Sequence, residues 1–170
     1  AGQKEKLRGI RHLALDMDGT IYLGNSIFPF TVRTLEKMKR NGVGYSFLTN
    51  NPTKSVDDYL AKLAKMGIIA DRENMYSSAV ATIDYIRKTY PQVRKLFILG
   101  TPSMTSQFEE AGFVSCADDP DDVPQMLVIA FDPTLTYSRL CRATWWAKQD
   151  IPYIATNPDW VCPTDERTIL

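Results

Sequence analysis

L-A-L-D-M-D-G-T, residues 13–20, decides how this chain is read. Residues 12–15 form a short apolar run predicted to be a buried strand, and two carboxylates, Asp16 and Asp18, emerge one residue apart where it ends. In open α/β sheets the carboxyl ends of parallel strands make the crevice in which ligands bind. Gly19 permits the chain to curl where the strand ends. Carboxylates this close repel one another unless a divalent cation neutralises one or a proton occupies the other. Either outcome serves phosphate chemistry. An aspartate attacks an anionic phosphate only when a cation screens the repulsion and donors hold the equatorial oxygens in line. Mg²⁺, with its preference for oxygen ligands, meets that need.

The donors lie in F-L-T-N-N, residues 47–51, at the end of the next predicted strand, 43–48. Thr49, Asn50 and Asn51 should reach the same sheet edge, where a hydroxyl and backbone amides can grip phosphate. An acidic pair and a Thr-Asn pair on neighbouring strand ends are far more specific together than either alone. A lone D-x-D usually decorates a turn, and a lone Thr-Asn usually caps a helix.

Outward from these motifs, short apolar runs alternate with segments of helical period, which implies a largely parallel sheet. Helices are predicted at 31–41, with Val32, Leu35 and Met38 on one face and Gly42 as the stop, and at 56–66. The second begins with Ser55 and Asp58 at capping-box spacing and ends at Gly67. A helix at 78–89 precedes a break at Pro91, then a strand at 95–99. The same grammar repeats as helix 104–111, strand 126–131, helix 137–148 and strand 152–155. The expectation is a two-part α/β architecture, residues 1–91 and 92–170.

Composition narrows the function classes. Hydrophobic residues make up 44% of the 170, enough for a real core, and twenty Lys and Arg balance twenty Asp and Glu. Nothing in that balance draws the chain to nucleic acid or an anionic membrane, so any anion handling is local. Cys116, Cys141 and Cys162 are odd in number and lack a C-x-x-C pair, which argues against a disulfide framework or a zinc site and fits a reducing cytoplasm. No apolar run approaches a membrane span, and the polar opening 1–8 has no signal-peptide core behind it.

The motifs resemble those of the haloacid dehalogenase superfamily of phosphatases, whose first motif, D-x-D-G-T, stands here as D-M-D-G-T. F-L-T-N-N resembles the second motif, and its distance from the first is similar to the NagD-like and p-nitrophenyl phosphatase subclass. I-A-T-N-P-D, residues 154–159, resembles a cap-domain stretch of that subclass. The resemblance implies a Rossmann-like core, here residues 1–91, carrying an inserted α/β cap, here residues 92–170, with the 170 residues expected to end inside the cap. It implies that Asp16 attacks phosphorus to give an aspartyl-phosphate and ligates Mg²⁺. Asp18 would act as general acid and then base while its carbonyl contacts the metal. Thr49 and Asn50 would hold the phosphoryl group, Gly19 and Thr20 would shape the loop, residues 22–30 would form a mobile flap, and Asp159 with Trp160 would lie near the substrate. The substrate class is a small phosphorylated metabolite, and the cap offers a surface for a second copy of the chain. The family's Lys, usually in G-K-P, and its acidic motif resembling G-D-x-x-x-T-D are absent from the 170 residues. Lys148, Asp165 and Glu166 sit in patterns that do not replace them.

Plainer roles fall to the remaining residues. His12, the sole histidine, is expected to be structural, which weakens any Ser-His or Cys-His mechanism. Trp145 and Trp146 are expected to pack, Asp132 to enter a turn, and the acidic run 118–122 to be a solvated loop rather than a calcium site. The alternative to an enzyme is a receiver-like module in which Asp16 accepts a phosphoryl group that persists. The union of nucleophile and acid in one D-x-D-G-T favours hydrolysis, as does a second unit for which a receiver has no use.

Overall fold

A computed structural model of the chain describes residues 8–160. They form two compact units, one of residues 8–49 with Leu60–Tyr76, the other of Asn50–Tyr59 with Ser77–Trp160. Cys162, Asp165 and Glu166 lie outside the described residues.

The first stretch runs through β1 (His12–Asp16), a hairpin of β2 (Tyr22–Leu23) and β3 (Ser26–Ile27), α1 (Thr31–Arg40), β4 (Gly44–Thr49), α2 (Val56–Lys65), a 3₁₀ turn (Arg72–Asn74) and β5 (Met75–Ser77). β1 and β4 pair in parallel and β5 adds on the far side of β4, giving the order β1-β4-β5. On α1 the i, i+3 apolar spacing buries Leu35, and the buried Thr31 donates its hydroxyl to the Ile21 carbonyl at 2.7 Å. Gly42, at φ 67°, stops the helix because only glycine takes that conformation freely. The Val43 amide then returns to the Met38 carbonyl at 3.0 Å. Lys37, Lys39 and Arg40 in the last turn suit the negative end of the helix dipole. At the start of α2 the Ser55 hydroxyl accepts from the Asp58 amide at 3.2 Å, the forward half of the expected capping box.

The second unit continues with α3 (Ser78–Thr89), β6 (Lys95–Leu99), α4 (Pro102–Glu110), β7 (Val114–Ser115), β8 (Met126–Ile129), α5 (Tyr137–Ala147) and β9 (Tyr153–Ala155). Its four strands are all parallel in the order β7-β6-β8-β9. Strand alternation sends Leu96, Ile98, Met126 and Val128 to one face, where they pack with Ala79, Ile83 and Ile86 of α3 and Met104 and Phe108 of α4. Phe97, Leu99 and Leu127 take the other face and pack with Ala143 and Trp146 of α5. Each such side chain, once fully buried, contributes about 1.5–3 kcal/mol. Thr101, Ser77 and Thr136 cap α4, α3 and α5 through their hydroxyls.

The predicted strands fall into separate sheets, and the helix α3 that precedes Pro91 belongs to the second compact unit. Its apolar face packs on that sheet, where Ile83 and Ile86 are buried. β8 stops at Ile129, short of the expected 131, because Pro133 follows and Asp132 folds the chain into a turn with Thr134. The segment expected as a flap over 22–30 contains the β2–β3 hairpin, with Tyr22 fully buried under the Lys62 ammonium 3.8 Å from its ring centroid. His12 hydrogen-bonds Ser46 at 2.8 Å across the β1–β4 pair. Trp146 is buried as expected, whereas Trp145 is half exposed. The acidic run is pinned by ion pairs of Asp118 with Arg142 and Asp122 with Lys95.

Candidate active site

In the first unit, Asp16 is the last residue of β1 and pairs in register with Leu48, so Thr49 stands one residue further along the same edge of the sheet. The turn that follows is built by the Met17 carbonyl, which accepts from the amides of Thr20, Ile21 and Tyr22 at 3.2, 3.0 and 3.4 Å. Gly19 supplies the curl with φ 82°, and its amide donates to the Tyr22 carbonyl at 2.7 Å. Met17 is fully buried, while its neighbours Asp16 and Asp18 stand at the surface and half-buried respectively. One apolar side chain therefore anchors the turn between two carboxylates.

The Thr20 hydroxyl donates to Asp16 Oδ2 at 3.0 Å. That contact fixes the carboxylate rotamer and leaves Oδ1 as the oxygen not engaged by Thr20. Sequence reasoning gave Thr20 only a loop-shaping role, although its i+4 spacing from Asp16 across a glycine turn is a usable signal. Thr49 is buried, as a side chain held for a fixed task should be.

Asn50, the next residue, opens the second unit. Its side-chain amide donates to Asp159 Oδ2, which also accepts from Asn157 Nδ2 at 3.2 Å, and its carbonyl accepts the Ser78 hydroxyl at 2.8 Å. Thus two predicted residues from opposite ends of the chain meet, and Asp159 braces Asn50. Ser78 was not foreseen, and no motif marks it. Asn51 is held in turn: its carbonyl accepts the Tyr59 hydroxyl at 2.8 Å, and its side chain accepts the Thr53 amide at 3.0 Å. Trp160 is almost wholly exposed.

Cys116 is not poised as a nucleophile. Burial, reinforced by the Asp122 carboxylate, pushes the Cys116 thiol up to about 11, far from a reactive thiolate. Among the described residues no group of three or more His, Cys, Asp or Glu side chains is placed to hold a metal ion. Asp16 and Asp18 nevertheless form a hard oxygen donor pair. Mg²⁺ is commonly held by one or two carboxylates completed by water and substrate phosphate, so the pair fits that ion.

A parallel strand ending in Asp16, with Asp18 two residues on and a neighbouring strand ending in a buried Thr, is set in an α/β fold. The chain belongs to the haloacid dehalogenase-like hydrolases, whose family model matches residues 13–114. It is 33% identical over 156 residues to an acid sugar phosphatase of Staphylococcus aureus, covering 92% of this chain and 58% of that protein. Its fold is similar to that of a 4-nitrophenylphosphatase from Thermotoga maritima, with TM-score 0.82, 36% identity, and coverage of 92% of this chain and 58% of that one. A glycerol phosphate phosphatase of Mycobacterium tuberculosis, solved in complex with calcium, shares the fold with TM-score 0.84 at 24% identity, over 96% of this chain and 47% of that one. The chain thus spans less than two thirds of the length of these relatives. Among the described residues no helix is long and apolar enough to cross a membrane.

Proposed function

We propose that the chain carries the nucleophile, the acid–base group and the phosphate grip of a Mg²⁺-dependent phosphomonoesterase whose substrate is a small phosphorylated metabolite. The observation that carries this reading is the β1 edge: Asp16, its Oδ2 held by Thr20, is followed across the buried Met17 by Asp18, with Thr49 on the adjoining strand. The phosphatase names of the relatives support the same reading. Residues 1–91 are assigned to the catalytic core and 92–170 to the cap that sorts substrates, in a protein set in the cytoplasm and able to pair through its cap. Cys116 and Cys141, both free thiols, suit that compartment.

In this reading Asp16 Oδ1 forms a bond to phosphorus as the ester oxygen leaves, and Asp18 gives that oxygen its proton, releasing the alcohol. Asp18, now ionised, takes a proton from a water molecule whose oxygen attacks the same phosphorus. The aspartyl bond breaks, Asp16 is restored as a carboxylate and inorganic phosphate departs. Thr49 and the Asn50 amide hold the phosphoryl oxygens, and Asp159 acts by positioning Asn50. Mg²⁺, held by the Asp16 carboxylate and the Asp18 backbone carbonyl, would supply the positive charge that lets an anionic nucleophile approach an anionic phosphate.

The test is Asp16→Asn. Turnover of p-nitrophenyl phosphate in Mg²⁺ should fall on the order of 10³-fold or more, with an unchanged circular dichroism spectrum and no hydroxylamine-sensitive phosphoprotein. Retained turnover, or retained labelling at another residue, would overturn the assignment.

A further inference from the structure

The sheet of the second unit has a topological switch point that the proposed chemistry does not use. From β6 the chain passes through α4 to β7 on one side, and from β8 it passes through α5 to β9 on the other. The two helices lie on opposite faces, since Met104 and Phe108 pack with Leu96 and Ile98 whereas Ala143 and Trp146 pack with Phe97 and Leu99. Neighbouring parallel strands whose connections part in this way leave a crevice at their carboxyl ends, the usual ligand position in open α/β sheets. Here the crevice is a cavity of about 370 Å³, within the range of small-molecule sites, with Gly100, Ser106, Asp132, Thr134 and Arg139 among the residues that line it.

The polar groups in it are held in place with capacity to spare. Arg139 donates Nη2 to the Ile98 carbonyl at 2.6 Å, and its guanidinium lies 5.7 Å from the Phe97 ring centroid. A guanidinium has five N–H donors, so this anchoring leaves others for a ligand. Asp132 Oδ1 accepts both the amide and the hydroxyl of Thr134, at 2.8 and 2.6 Å, which fixes the carboxylate and leaves Oδ2. Gly100 lines the cavity without a side chain, and a Cβ there would come 2.9 Å from the Met104 sulfur. Arg139 and Asp132 thus face one cavity without forming an ion pair there, each tied to its own strand end.

We propose that this cavity binds a small hydroxylated anion, its carboxylate or phosphate on Arg139 and its hydroxyls on Asp132 Oδ2 and the Ser106 and Thr134 hydroxyls. A bare anion would leave the Asp132 carboxylate facing it at a cost, and a neutral polyol would leave Arg139 unused, so the paired lining selects for both features in one molecule.

The experiment is ¹⁵N NMR titration of the Asp16→Asn chain, in which turnover is absent and the result does not depend on the proposed hydrolysis. The probes are gluconate and glycerol 3-phosphate, with glucose and inorganic phosphate as controls. Expected are saturable shifts at the Gly100, Ser106 and Thr134 amides, with at least one hydroxylated anion binding roughly tenfold or more tightly than either control. Which of the two binds better separates a carboxylate from a phosphate ligand. Ser106→Tyr, which fills the cavity and leaves the Arg139 and Asp132 contacts intact, should abolish the shifts, and Arg139→Gln should weaken binding about tenfold. Binding unaffected by Ser106→Tyr, equal response to inorganic phosphate, or no saturable shift with either hydroxylated anion would overturn the proposal.

Discussion

Ser103→Ala should destabilise the second unit in a way that depends on pH. The Ser103 hydroxyl donates to the Asp58 carboxylate and accepts the Ser55 amide at 2.8 Å, so one small side chain ties the first turn of α4 to the start of α2. A hydrogen bond to a charged group contributes about 1.5–3 kcal/mol when shielded, but Asp58 is largely exposed, and solvent screening reduces this to about 0.5–1.5. The Ser55 amide bond adds about 0.5–1 kcal/mol, for a total of about 1–2.5 kcal/mol at neutral pH. The Ser103 hydroxyl is the main cause that holds the Asp58 carboxyl below its ordinary value, with the Ser55 groups and Lys54 assisting against partial burial. A carboxylate depressed in the folded state contributes stability above its unfolded pKa of about 4, and that contribution is lost as pH falls through the folded value. Urea unfolding of both proteins at pH 7 and near pH 3 measures this directly. The difference between them should be largest at pH 7 and shrink in acid. A difference independent of pH, or below about 0.3 kcal/mol at pH 7, refutes the reasoning.

Other outcomes follow from the same geometry. Asp18→Asn should slow hydrolysis by on the order of 10²–10⁴-fold for esters of basic alcohols such as 2-glycerophosphate, and less for p-nitrophenyl phosphate, whose leaving group needs little protonation; equal losses would remove Asp18 from the acid role. Met104→Ala, at a fully buried position of the second core, should cost about 2–5 kcal/mol in urea unfolding, and a loss below 1 kcal/mol would contradict the packing described. Iodoacetamide at pH 8 should modify the exposed Cys141 well before Cys116, which at a pKa of about 11 holds roughly a thousandth of its thiol as thiolate, as peptide mapping would show.

What the sequence disclosed is what local chemistry dictates. Gly19 between a strand and an apolar turn could be read as a curl because a positive φ is glycine's particular capacity, and the curl is present at 82°. Helices α1, α2 and α3 were legible because each is closed by a local signal: Gly42, Gly67, or the approach of Pro91. β5 and β7, of three and two residues, are too short to show a period and exist only because a longer strand offers them an edge. The partition of α3 was likewise invisible, since which sheet covers Ile83 and Ile86 is settled by packing and not by their spacing. At the candidate site, Asp16, Asp18 and Thr49 could be found because strand register carries them to one edge. The brace of Asp159 on Asn50 joins residues 109 positions apart and has no local signature, so only the resemblance placed Asp159 near the site, and the structure supplies its partner.

Charge is what gives the β1 edge its chemical logic. Residues 12–30, which include the turn bearing both carboxylates, contain no Lys or Arg, and neither do residues 47–53, which end β4 and follow it. A phosphate monoester arriving there meets like charge from Asp16 and Asp18, each unit pair at 4 Å repelling by about 1 kcal/mol in water and about 4 kcal/mol at a partly screened surface. Thr20 and Thr49 orient groups but bring no positive charge, so hydrogen bonding alone leaves the encounter repulsive. The same closeness that makes the pair unfavourable alone makes it a suitable seat for a small divalent cation, which reverses the sign of the field at the place where phosphate must sit. In the proposed reaction Asp16, with Oδ2 held by Thr20, attacks through its other oxygen, and Asp18 carries the proton. In the proposed hydrolysis the glycine turn and the threonine contact are therefore parts of one requirement: a carboxylate site that accepts an anionic substrate once positive charge is brought to it.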